Sequence, residues 1–171
     1  MNELTHLLEK ASRLESITQK VGFTLWQIQE LEGASAQLFA LLAQASRGMG
    51  LTAGTELVDR AKRKTFGATI HKLAKAELLS EGLEDQFGAL LAERNWLVHS
   101  SRSDSRNAVH GDQAMQQLTE RLDAMADMAL SLLKEVGSMI EAHVYAHGVS
   151  KESVDDMTSE LLAHWRSADS T

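Results

Sequence analysis

The sequence contains no cysteine and no proline. Without thiols there is no disulfide framework, no thiolate metal site and no cysteine nucleophile. Without a pyrrolidine ring nothing interrupts a helical hydrogen-bond ladder, and the abundant Leu, Ala, Glu, Gln, Met and Lys propagate one readily. No apolar run reaches the roughly 18 residues that a membrane-spanning helix needs, and Met1-Asn2-Glu3-Leu4 is not a basic stretch leading into an apolar one. The expected location is therefore the cytoplasm. No glycine-rich loop follows a strand, no Ser-His-Asp grouping can be read from the residue order, and the acids lie scattered on outer helical faces. Most reaction classes have no visible apparatus.

What is present is a chain of 171 residues, long enough for one domain over 1–171 that removes roughly two thirds of its unfolded surface from water. Apolar residues recur at helical spacing almost throughout. Leu4, Leu7, Leu8, Leu14 and Ile17 predict a short first helix over 3–17. Val21, Leu25, Ile28, Leu31, Ser35, Leu38 and Leu42 predict a second from about 19 to 47, stopped by Arg47-Gly48-Met49-Gly50. Phe23, Trp26 and Phe39 fall in that helix and are read as core. A third helical stretch, Thr55 to His71, has a break at Lys64 to Gly67, where Thr65 is placed to cap the helical residues after the break. Ser80 is the N-cap of a helix carrying Leu83, Phe87, Leu90, Leu91 and Leu97 and ending near His99. Ser100 to Asn107 offers no apolar side chain and reads as a surface loop. From 111 to 147 the spacing of Leu118, Leu122, Met125, Ala129, Leu132, Val136, Met139 and His143 alternates four and three, a coiled-coil-like seam expected to be the longest element. Gly148 closes it, and Ser150 opens a last helix with Val154, Met157, Leu161, Leu162 and Trp165. The fold class predicted is an all-α antiparallel bundle of about five or six helices, expected to form a homodimer.

Charge is unevenly distributed. The net charge is −7, yet residues 60–106 hold nine Lys and Arg against six Asp and Glu. Arg60 to Lys75 carries six basic residues and no acid, a local field able to attract phosphates. A solvated helix face is the alternative. Arg60, Lys62, Arg63, Lys64, Arg102 and Arg106 are the candidate contacts to an RNA backbone, with binding that weakens steeply in salt.

One cluster stands apart: Glu93-Arg94-Asn95-Trp96-Leu97-Val98-His99 places several strongly polar groups at the end of an apolar helix. Asn95 and His99 are four apart and share a face, whereas Arg94 and His99 are five apart and diverge by about 140°. Arg94 and His99 converge on one ligand only if the helix unwinds near Val98 or a second chain contributes its copy. The alternative is that Arg94 pairs with Glu93 or another acid and His99 caps a helix C-terminus.

Arg94-Asn95-Trp96-Leu97-Val98-His99 resembles the Arg, four to six residues, His motif of the HEPN superfamily, in the form with Asn directly after Arg. Phe87 to Glu93 resembles the approach to that motif, and Lys64-Thr65-Phe66-Gly67-Ala68-Thr69-Ile70 is similar to a segment preceding it in some bacterial members. The resemblance covers residues 20–145, with its specific part in about a dozen of them. Many members place a small residue and an aromatic after the His, where this chain has Ser100 and Ser101. The resemblance implies a HEPN-like helical bundle and a metal-independent endoribonuclease needing no cofactor, or a relative that only binds RNA, nucleotides or protein. It implies His99 as general base or acid, Arg94 on the phosphate and Asn95 orienting either. It also implies toxin–antitoxin or phage-defence settings, with an antitoxin or nucleotidyltransferase as partner.

His143 and His147, four apart, have a metal-ligand spacing but lack further ligands, so no metal is assigned to them. His71 and His110 are assigned nothing. Trp96 is read as packing, with stacking on a base as the alternative. A purely structural dimer built on the seam from Leu118 to Met139 is a third reading of the whole chain.

Overall fold

The computed structural model describes residues 3–168. It is built from α-helices: α1 (Glu3–Ala43), α2 (Leu51–Lys62), α3 (Phe66–Lys75), α4 (Glu81–His99), α5 (Ser101–Asp104), a 3-10 turn over Arg106–Val109, α6 (Asp112–Ala146) and α7 (Lys151–Ala168). No strand occurs among the described residues. The all-helical expectation holds, with seven α-helices among the described residues against the five or six expected.

The chain divides into two compact units at Val136 and Gly137. The core of the first is made by Ile28, Leu31 and Leu38 of α1, Leu73 of α3, Phe87 and Leu90 of α4, and Leu122, Met125, Leu132 and Val136 of α6, all essentially without solvent exposure. Phe66 and Phe87 meet edge to face with centroids 6.1 Å apart. Beside them Gly67 admits the Leu91 side chain to 3.2 Å from where a Cβ would stand. Segments 64–70 and 87–93 thus pack on each other.

Local signals set most boundaries. Thr65 accepts a hydrogen bond from the Ala68 amide and starts α3, and Ser80 accepts one from Leu83 and starts α4, each meeting an amide that the first helical turn leaves unpaired. α3 ends in a Schellman arrangement: Leu78 N–H donates to Leu73 O at 3.1 Å and Glu77 N–H to Ala74 O at 2.9 Å, which requires the left-handed φ of 55° at Glu77.

Four expectations fail. The first two helices are one 41-residue helix, because nothing between Ser16 and Gly22 breaks the ladder. Thr18 donates its hydroxyl to Leu14 O at 2.8 Å, and Gly22 costs helix propensity without stopping the turn. α1 is therefore longer than α6, ends at Ala43, and the glycine pair beyond it leads directly into α2 at Leu51. The apolar residues of its start, Leu4, Leu7, Leu8 and Leu14, are exposed. So are Phe23 and Trp26, at 55% and 63%. They lie one to two positions off the buried line Thr24, Ile28, Leu31, Ser35, Leu38, and Phe39 is half-buried against Ala36, Ala40 and Ala61.

The polar string 100–107 is not an irregular loop. It coils into α5 and the 3-10 turn because its serines bond backward along the chain: Ser101 Oγ donates to Leu97 O at 2.6 Å, Ser103 Oγ to Ser100 O at 2.8 Å, and Ser105 Oγ to Ser101 O. Ala108, fully buried, anchors its far end.

In the second unit α6 finishes in another Schellman arrangement. Val149 N–H donates to Val144 O at 3.4 Å and Gly148 N–H to Tyr145 O at 3.0 Å, with Gly148 at φ 87°. Ser150 accepts from the Ser153 amide at 3.1 Å and opens α7. No helix among the described residues is long and apolar enough to cross a membrane.

Candidate functional site

The buried line of α4 runs through Phe87, Leu90 and Leu97, and Arg94 falls on it, seven residues after Phe87 and three before Leu97. A guanidinium on an inward line must find a partner. Arg94 Nε donates to Glu32 Oε1 of α1 at 3.2 Å, with both side chains a little over a quarter exposed. The partner is a neighbouring acid, and not Glu93. Glu32 also lines a hollow of about 190 Å³ shared by Gln29, Gly33, Lys62, Lys64 and Phe66. Two of the predicted backbone-contact residues therefore stand around the carboxylate that holds Arg94.

Asn95 and His99 lie on the outer face of α4 and are exposed. Among the described residues they make no hydrogen bond to each other. The helix does not unwind at Val98: Ser100 N–H donates to Trp96 O at 2.8 Å, and the α4 ladder continues to His99. Arg94 and His99 of one chain thus keep their divergence of about 140°, and of the two routes to convergence only the second chain remains.

Trp96 stands three residues before His99, about 60° around α4 from it. Its indole Nε1 donates to Asp104 Oδ2 at 2.9 Å. The Arg121 guanidinium lies over its ring at 3.4 Å, held there by two bonds to Glu93, Nε to Oε2 at 2.7 Å and Nη2 to Oε1 at 3.1 Å. A ring covered by a guanidinium on one face and tied at its nitrogen is a packing residue, as expected. Trp96, Asp104 and Arg121 border a polar hollow of about 290 Å³ with Asn107 and Gln117.

Arg60, Lys62, Arg63 and Lys64 are all exposed. Arg60 and Lys62 occupy the last turn of α2, Arg63 is its C-cap, and Lys64 lies in the turn to α3. Cations at a helix C-terminus complement its dipole, so this placement has a structural reason as well as an electrostatic use. Arg102 on α5 and Arg106 on the 3-10 turn are exposed too.

The sequence reading missed Glu32 and Arg121. Glu32 had a faint signal: it follows Leu31 and stands four residues after Ile28, at the margin of a buried line where a carboxylate needs a partner. Arg121 sits similarly beside Leu122.

His143 and His147 stack with ring centroids 4.2 Å apart, and His147 Nδ1 lies 2.8 Å from His143 O. Desolvation, and then the neighbouring His147, push the His143 pKa below the ordinary 6.5. No group of three or more metal-ligating side chains occurs among the described residues.

No protein-family model, no curated protein and no solved structure matches this chain.

Proposed function

We propose that this chain is a metal-independent endoribonuclease of the HEPN type, acting as a cytoplasmic homodimer in a toxin–antitoxin or phage-defence setting. The observation that carries the reading is the layout of α4: an unbroken helix presents Asn95 and His99 to solvent, while Arg94 is bonded to Glu32, which lines a hollow together with Lys62 and Lys64. The basic residues supply the electrostatic attraction for an RNA backbone, and the two copies of α4 supply the convergence that one copy lacks.

In the reaction, one His99 takes the proton of a ribose 2′-hydroxyl as its oxygen bonds to phosphorus. The bond from phosphorus to the 5′-oxygen breaks, and the imidazolium of the other His99 gives that oxygen a proton. The products are a 2′,3′-cyclic phosphate and a 5′-hydroxyl. Arg94, always charged and able to bind two oxygens, stabilises the charge that accumulates on the phosphate. Asn95 orients His99 or a phosphate oxygen. An antitoxin protein or a nucleotidyltransferase is the regulating partner that this reading suggests.

A non-catalytic RNA-, nucleotide- or protein-binding module is the second reading, favoured by the engagement of Arg94 with Glu32. Incubating a mixed RNA pool in chelator with the wild-type protein, Arg94→Ala and His99→Ala separates the two. Cleavage leaving cyclic phosphate, lost in both variants, supports the nuclease. A folded dimer that binds the pool without cutting it supports the binding module, and full cleavage by His99→Ala sinks the proposed mechanism.

A further inference from the structure

α1 and α2 border an apolar hollow of about 460 Å³, lined by Ala40, Leu41, Leu51, Leu57 and Val58, with one base, Lys62, and one acid, Asp59, in its lining. Leu51, on its rim, is 88% exposed. Lys62 continues into Arg63 and Lys64, so an apolar trough ends in a basic strip. Elsewhere on the chain α7 has the complementary character. Met157, Leu161 and Trp165, four apart, form one ridge and are 69%, 49% and 58% exposed. Asp155 and Glu160 flank that ridge, while Glu152 and Asp156 project from the far side of the helix, with no base among residues 152–160. On a helical projection Asp155 and Glu160 stand roughly 110° to either side of it.

We infer that the hollow between α1 and α2 is the seat for α7 of a second copy of this chain. Met157, Leu161 and Trp165 enter the trough, as an amphipathic helix enters an apolar groove, and the flanking acids face Lys62 and Arg63. Charge selects this seat over the exposed leucines at the start of α1. There Arg13 and Lys20 are already engaged by Asp112 and Asp123, and Glu3, Glu9 and Glu15 outnumber Lys10, so the remaining charge repels α7. Reciprocal exchange about a two-fold axis buries the ridge twice, which gives the same contact in both directions. The contact does not rest on the ribonuclease reading.

Because the chain has no cysteine, cross-linking can be read without background. Full-length Leu51→Cys and Leu161→Cys proteins, one carrying a size tag, are mixed and mildly oxidised. The expected product is the mixed disulfide dimer, and its absence while each variant remains folded overturns the proposal. Closure within one chain of the double variant, in place of the mixed dimer, overturns it as well, as does preferential capture of Leu161→Cys by Leu8→Cys. Sedimentation equilibrium gives a second arm. Asp155→Lys with Glu160→Lys weakens self-association roughly tenfold or more, and Lys62→Glu with Arg63→Glu in the mixed partner restores it. Unchanged association in the first pair overturns the seat even where cross-linking succeeds by chance collision.

Discussion

Arg121 makes three demands on its surroundings at once: two bonds to Glu93 and a face laid on Trp96. Both members of the ion pair are a third or more exposed, so water screens the attraction, and Arg121→Ala is expected to cost about 1 kcal/mol in chemical denaturation. The same change uncovers the indole, which a shift in Trp96 emission, measured in a protein lacking the other two tryptophans, will report. His143 titrates below 6.5 in the folded chain because its ring is desolvated and next to His147. Its folded pKa lies under its unfolded one, so the helix end keeps its full stability above about 6.5 and loses it as pH falls through the lower folded value. An NMR titration of the His143 ring should give the low midpoint. His147→Ala should raise it only part of the way, since burial is the larger cause.

Two helices end with the same hydrogen-bond pattern but different residues in its left-handed position. α6 uses Gly148 and α3 uses Glu77. A side chain at positive φ is strained, so Glu77→Gly should stabilise the protein by up to about 1 kcal/mol and Gly148→Ala should destabilise it by about as much, both read from urea midpoints. This contrast also shows what was legible in the sequence. Gly148, Thr65 and Ser80 announced helix ends because caps act within three or four residues of chain. The continuity of α1 was not legible, since a weak apolar stretch around Ser16 to Lys20 mimics a boundary that only a true breaker would create. Nor was the coiling of residues 100–107, where serines satisfy carbonyls one turn back. The Glu32–Arg94 pair joins residues 62 apart, and no periodicity records a partner at that distance. Hence the exposed half of the motif, Asn95 and His99, could be placed from spacing, whereas the partner of Arg94 could not.

At the scale of the molecule, an acidic protein of net charge −7 can still bind a polyanion through one basic strip. If it does so, neutralising Arg60 or Lys64, the two members of the strip that the α7 contact does not engage, should lower the slope of log affinity against log salt by about 0.7 for single-stranded RNA. A filter-binding series across salt concentrations checks this, and a slope that stays constant places the RNA elsewhere. The pairing of α1 with α6 has a kinetic consequence. Arg13 with Asp112, Thr24 with Leu122 O and Lys20 with Asp123 join residues 99, 98 and 103 apart, so a chain of local helices must close one very large loop before its first and last long helices meet. That closure costs entropy which only the finished contacts return. The helical signal in a stopped-flow experiment should therefore rise ahead of the burial of the α1–α6 seam. With no proline to isomerise, no phase of tens of seconds should come after it.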